Sequence, residues 1–365
     1  MSRLPVARSA VVVAAIAAVA AVVVAAGVAA APAGDPCFAP DPAAVAHRLG
    51  FSAGERPLAL RAPDGGSLSA RGCGSCHAEV YADWQTTRHR AAWDNAVFLD
   101  GLRREPLARC VHCHAPLVEQ KREVGPLRGR PFSPSSSSSL VHEGVTCAVC
   151  HVRDGRVLTT RPVRPDAATP MHDVVIEPAL KDPAFCASCH QFGFSGSDVL
   201  MQGTWSEWRA FADAGGQGTC QGCHMPGGRH LFRGAWDRDL LRDSLVVDVD
   251  RGADGLALVL RSRGVGHHFP TGDLFRHLTV EVSDVDRAGF DDDGAFVAVF
   301  RVGRTFGGEG LDKRVVEDTS LVPGEPRRVP LPPSTRRWRV RYHYAEARHE
   351  RADVVAPVVI AAGSR

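Results

Sequence analysis

Five times the chain repeats one pentapeptide form, a cysteine pair at i and i+3 with a histidine directly after the second. The copies are CGSCH (Cys73, Cys76, His77), CVHCH (Cys110, Cys113, His114), CAVCH (Cys147, Cys150, His151), CASCH (Cys186, Cys189, His190) and CQGCH (Cys220, Cys223, His224). Ten of the eleven cysteines lie in these units, so the pattern governs nearly all the thiol chemistry of the chain. Histidine fills only 16 of 365 positions. Its recurrence after all five pairs has chance odds of roughly one in several million, judged from composition. A bare C-x-x-C suits a zinc site or a redox pair, but neither zinc nor a disulfide framework demands the following histidine. Covalent attachment of c-type haem does. Two thiols reach the vinyl groups of one porphyrin as thioethers, and the adjacent imidazole binds the iron from the proximal side. The sequence thus implies five haem c groups, each with a proximal histidine.

The amino terminus bears on the compartment. Arg3 and Arg8 precede an uncharged run, Ser9 to Ala31, made almost wholly of Val and Ala. A basic stretch followed by an apolar one reads as an export signal. The run is also long enough to stay as a membrane anchor, while Ala29, Ala31 and Ala33 offer small-residue cleavage sites. Both outcomes place the chain in the periplasm or on the outer face of the cytoplasmic membrane, which suits haem attachment. Cys37, preceded by Gly34, Asp35 and Pro36, reads as a spare thiol.

Composition divides the chain into four parts: residues 1–33, the signal peptide or anchor; 34–70, a Pro-, Gly- and Ala-rich lead-in; 71–238, the pentahaem region; and 239–365, a β-sandwich. The haem region holds Trp84, Trp93, Trp205, Trp208 and Trp236. PFSPSSSSSL, Pro131 to Leu140, reads as a solvent loop. AEVYADWQTTRHRAAW (78–93) and TWSEWRAFADA (204–214) carry helical apolar spacing. Five porphyrins in so short a region leave little room for an ordinary side-chain core. Short helices and loops packed on haem are therefore expected.

From about Ser244 the apolar period changes from 3.6 to 2. SLVVDVDRGADGLALVLRS reads as a hairpin turning at GADG, and HLTVEVSDVD, GAFVAVFRVG, RWRVRYHYA and DVVAPVVIAA read as further strands. The expected class is α + β: a haem-packed domain of short helices and loops, then a small antiparallel sandwich.

The formal charge of +2 shifts once haems are attached. Ten propionates and five ferric cores bring the oxidised holoprotein to about −3 by simple charge counting. The lysines are Lys121, Lys181 and Lys313, and the other basic residues are arginines. Arginine suits propionate pairing through its planar fork, and a coding bias explains the same excess. No basic run suggests nucleic acid.

Eleven histidines remain for the far side of the irons: His47, His89, His112, His142, His172, His230, His267, His268, His277, His343 and His349. An iron capped by a second imidazole suits electron carriage, and an open sixth position suits catalysis.

CGSCHAEVYADWQTTRH, CVHCHAP, HEGVTCAVCH, FCASCHQF, CQGCHMP and GVGHHFPTG together resemble the multihaem cytochromes that include hydroxylamine oxidoreductase, the pentahaem nitrite reductases and the tetrahaem carrier of nitrifying bacteria. The resemblance spans roughly residues 70 to 285. It implies distal ligands at His89, His142, His172, His230 and His267, with His268 the rival of His267 and His47 in reserve. His112, between two haem cysteines, is poorly placed, and His277, His343 and His349 read as structural. If residues 77 to 89 form one helix, it rises about 18 Å, which carries His89 away from the haem of Cys73 and Cys76. The chain departs from the enzymes of the resemblance. All five motifs end in His rather than Lys, and Tyr81, Tyr342 and Tyr344 are the only tyrosines available for a haem crosslink. The expectation is an exported pentahaem cytochrome c passing electrons between redox partner proteins through bis-histidine haems. The alternatives are a small oxidoreductase of nitrogen or sulfur oxyanions with one five-coordinate haem, and a docking module of a larger redox complex.

Overall fold

The computed structural model describes residues 57–125, 139–162, 172–193, 199–287, 289–308, 312–345 and 356–365. The N-terminal apolar run, Cys37, His47, the serine tract up to residue 138 and His349 lie outside the described residues. No helix among the described residues is long and apolar enough to cross a membrane.

The first stretch is a series of short helices: α1 (Ala70–Gly74), α2 (Ala78–Gln85), α3 (Ala96–Arg104), α4 (Ala108–His114), α5 (Val118–Val124) and α6 (Cys147–His151). Helices this short are marginal alone, and they are held by caps and tertiary bonds. Ser69 caps α1, and Asn95 caps α3 by accepting from Phe98 N. The expected helix through residue 93 stops at Gln85. Thr86 and Thr87 turn their hydroxyls back onto the carbonyls of Asp83 and Trp84, both at 2.7 Å, an alternative to the helical ladder. His89 therefore sits on turns beyond the helix.

A small sheet follows, with β1 (Val152–Arg153), β2 (Arg156–Thr159) and β3 (Val174–Ile176). Helix α7 (Pro183–His190) starts with Pro at its first position and Asp182 as its cap. The pair β4 (Phe192–Gly193) and β5 (Leu200–Gln202) is antiparallel. Then come α8 (Thr204–Asp213), α9 (Cys220–His224) and α10 (Arg238–Asp243). Helix α8 realises the apolar spacing of TWSEWRAFADA.

The rest is antiparallel sheet: β6 (Leu245–Gly252), β7 (Gly255–Ser262), β8 (His277–Ser283), β9 (Val297–Gly307), β10 (Arg314–Asp318), β11 (Arg327–Pro330), β12 (Arg337–His343) and β13 (Val358–Ser364). One sheet has the order β10-β9-β8-β12-β13 and the other β11-β7-β6. The hairpin turns at Ala253 and Asp254, with Gly252 paired to Gly255. Leu258 and Leu260 of one sheet and Leu278, Val280, Val302 and Val340 of the other are fully buried in a shared core. Sequence periodicity overlooks β10 and β11. The former is exposed along its whole length, and the latter buries only Val329, so neither alternates. Buried Arg339 is matched by Glu281 and Asp293, at 2.7 Å each, as a buried charge requires. His277 and His343 stack at 4.4 Å inside this region.

The two architectures interlock. Residues 263–276, between β7 and β8, reach the helical region through Thr271, which meets Thr204 and Glu207, and Arg304 of β9 donates to the carbonyls of Leu200 and Met201 in β5.

Candidate haem-binding site

In four of the five motifs the C-x-x-C-H run is itself helical and the histidine ends the helix. In the first, α1 ends at Gly74 and His77 caps α2. Positions i and i+3 share a helix face, so each of those four cysteine pairs opens to one side with its histidine beside it. All ten cysteines and all five histidines line one continuous cavity of ≈ 3240 Å³. That is well beyond the roughly 300–1,000 Å³ of a single small-molecule pocket. Thiols of different motifs meet pairwise within it, Cys73 with Cys147, Cys113 with Cys189, and Cys186 with Cys220.

Four of the five proximal histidines face a second histidine across the cavity. The ring centres are 6.5 Å apart for His77 and His172, 6.3 Å for His190 and His89, 5.9 Å for His151 and His230, and 6.2 Å for His224 and His267. A metal–imidazole bond is about 2 Å, so imidazoles on opposite faces of one ion put their ring centres roughly 6 Å apart once each ring's half-width is added. The facing rings are too distant to touch and correctly spaced to share an iron. His89 pairs with His190 and not with His77, although the helix between the first two is shorter than expected.

Several outer nitrogens are anchored. Nδ1 of His114 meets Ala92 O at 2.7 Å, His151 meets Leu158 O at 2.8 Å, and His224 meets the Arg233 carbonyl. His267 Nδ1 meets His268 O at 2.8 Å. Such bonds fix the tautomer and leave Nε2 for a metal. Burial pushes His89 down to about 3 and His190 and His267 to about 4. These imidazoles are neutral at ordinary pH, the form that binds iron. The donor set, the spacing and the cavity all fit covalently held haem. Arg88, Arg109, Arg161, Arg233 and Arg276 line the cavity as well, where guanidinium groups suit propionates.

The structure does not bring His142 opposite a proximal histidine. Its Nδ1 bonds Asp94 Oδ1 at 2.6 Å, and it is not among the residues lining the cavity. The HEG run acts through its other members. Glu143 accepts from Ser69 Oγ at 2.5 Å and Ala70 N at 2.6 Å, completing the cap of α1. Gly144, at φ +55°, lies where a Cβ would collide with the carbonyls of His89 and Arg90. Val145 N donates to His89 O at 2.9 Å. The motif therefore holds the backbone of His89. His114 stacks on Phe98 at 3.6 Å, and among the described residues no histidine faces it. His268 turns to Ser320 Oγ at 3.1 Å instead of the cavity.

Sequence reasoning missed Asp94, Glu143, Gln202 and Phe232. Phe232 sits edge-on to His89 at 4.3 Å and to His230 at 6.0 Å, between two facing pairs. Its φ of +42° is uncommon for a bulky residue. Glu143 had a weak sequence cue in its place beside the third motif, whereas Phe232 had none.

Five C-x-x-C-H segments converge on one cavity with imidazoles facing across it, the arrangement a multihaem c-type cytochrome needs. Comparison with known proteins agrees. Residues 72–152 match the family described as Cytochrome c554 and c-prime. The fold is similar to that of a penta-heme cytochrome c552 from Thermochromatium tepidum, with a TM-score of 0.59 and 21% identity over 80% of this chain and 97% of that one. No curated protein matches the chain by sequence.

Proposed function

We propose that the chain is an exported pentahaem cytochrome c that carries electrons between redox partner proteins. The observation that carries the reading is the set of four imidazole pairs at 5.9–6.5 Å. On this reading His77/His172, His89/His190, His151/His230 and His224/His267 each hold one iron between them. Haem supplies the one-electron chemistry, and the protein tunes it through axial ligands, burial and nearby charge. Two imidazoles on each iron keep its coordination the same in both redox states. The neighbouring thiols and Phe232 order the carriers. The site of Cys73 adjoins that of Cys147, Phe232 links the latter to the site of Cys186, and Cys186 adjoins that of Cys220. Export follows from the basic and apolar N-terminus, and residues 9–31 serve as cleaved signal or anchor.

A second reading has one supporting observation. His114 has Phe98 at its side and, among the described residues, no facing histidine. The haem of Cys110 and Cys113 is then five-coordinate and open to a small ligand such as a nitrogen or sulfur oxyanion. The enzyme side of the resemblance, to hydroxylamine oxidoreductase and the nitrite reductases, belongs to this reading.

One pair of measurements tests both. Intact mass should exceed the processed chain by five haem masses. Low-temperature EPR of the ferric protein should show four low-spin haems and one high-spin haem, unchanged in number by His142→Ala. Fewer than four low-spin haems sinks the electron-carrier reading. Five low-spin haems, one of them lost in His142→Ala, sinks the open site and restores His142 as a ligand.

A further inference from the structure

The imidazole of His190 is anchored differently from those of His114, His151 and His224. His114, His151 and His224 give their Nδ1 to backbone carbonyls, which do not titrate. His190 Nδ1 instead meets the side-chain amide of Gln202, at 2.9 Å. The same amide atom lies 3.3 Å from Thr204 Oγ1. Thr204 Oγ1 is 2.9 Å from Thr271 Oγ1, and Thr271 Oγ1 is 2.5 Å from Glu207 Oε2. An unbroken line of hydrogen bonds thus joins a haem ligand to a half-buried carboxyl. Arg304 holds its parts in place, donating to the carbonyls of Leu200 and Met201 beside Gln202 and of Gly272 beside Thr271.

We propose that Glu207 is a proton-binding site linked, through Thr271, Thr204 and Gln202, to electron uptake at the iron held by His190 and His89. The proposal rests on the bis-histidine reading of that pair. Its logic is a count of protons. The amide is placed with Gln202 Nε2 toward His190 and Thr204; an imidazole bound through its own Nε2 keeps its proton on Nδ1, so iron binding requires the flipped amide, with the oxygen in that place. With Glu207 protonated, each hydroxyl has one bond to give: Glu207 to Thr271, Thr271 to Thr204, Thr204 to the Gln202 oxygen. With Glu207 ionised, Thr271 donates to the carboxylate and Thr204 to Thr271, and the Gln202 oxygen accepts from His190 alone. Its pull on the Nδ1 proton then strengthens, which raises the basicity of the ligand and favours ferric iron. Reduction accordingly draws one proton from water onto Glu207, as one electron arrives from the redox partner. The carboxylate becomes a carboxylic acid, and no other bond changes.

The surroundings poise Glu207 for this role. Burial raises its pKa, and that effect outweighs the lowering by Thr271, by the ring and backbone N–H of His268, and by Arg304 of β9. His268 is itself tied to Ser320 and lies 3.9 Å from Asp318. The working window therefore lies above the ordinary carboxylate range.

Spectroelectrochemical titration of the full-length holoprotein over a pH series tests the proposal. One low-spin haem should lose up to about 59 mV per pH unit as pH rises, the value for one proton per electron. Glu207→Gln and Gln202→Leu should each flatten that slope, with haem content and the number of low-spin signals unchanged. The redox-difference infrared spectrum should show a carboxylic acid gained on reduction and absent in Glu207→Gln. A slope that survives Glu207→Gln overturns the site, assigning the proton to propionates. A slope that survives Gln202→Leu overturns the relay. If the bis-histidine reading is itself wrong, the unmodified protein fails first, lacking the fourth low-spin signal.

Discussion

The helical region and the sandwich solve the same problem, burying enough apolar surface to hold a chain in place, with different materials. The sandwich gathers nineteen buried residues into a single cluster, from Leu241 to Ile360. Among the described residues the helical region has separate clusters of six, three and five. Its longest helix among the described residues, α8, has no fully buried residue. Its aromatic residues Trp205, Trp208 and Phe211 line the cavity, where a bound cofactor would complete their burial. The difference teaches that the sandwich carries one core of its own, whereas the helical region has small clusters and a large cavity between its helices.

Withholding haem should have the largest effect. Chain exported without haem attachment should lose the helical region to limited proteolysis and keep a protected, β-rich fragment beginning near Leu245. Equal resistance of both regions, or equal loss, would break the comparison.

A smaller effect probes the loop that joins the two. His267→Ala should convert one low-spin haem to high-spin in the EPR spectrum while the unfolding of the sandwich stays as it was. His268→Ala should leave the spectrum alone, since its ring faces Ser320. The reverse pattern would move the ligand by one residue.

The smallest effect sits wholly inside the sandwich. Burial, with help from neighbouring His343, lowers His277 from 6.5 to about 3. The native state keeps His277 neutral, whereas the unfolded chain protonates it below about 6.5, so the unfolded state binds more protons between those values. Stability from this group is complete above pH 6.5 and drains away as pH falls toward 3. Denaturant midpoints of the sandwich at pH 7 and pH 4 should differ less in His277→Gln than in the unmodified protein. An unchanged difference would remove His277 from the account.

Much of this was legible without a structure because it is local. Haem attachment needs two thiols and an imidazole within five consecutive residues, and a hairpin needs alternation and a two-residue turn. Both are written in neighbouring letters, so Cys220 to His224 and Leu245 to Ser262 declare themselves. The edge strand β10 does not, because a strand exposed on both faces leaves no alternation to read.

Tertiary structure alone decided the partners. His77 meets His172, His89 meets His190, His151 meets His230 and His224 meets His267, each across a fold that no short window of sequence spans. The residues of HEGVTC named a ligand candidate in His142, and packing set its Nδ1 on Asp94, placed no proximal imidazole opposite it and laid Gly144 against the backbone of His89. A histidine's chemistry is set by the atom its nitrogen reaches, and that atom here belongs to a distant part of the chain. The amino-acid sequence by itself therefore determined the five C-x-x-C-H segments and their places along the chain. The fold determined which imidazoles face each other, and which one is wired to a carboxyl.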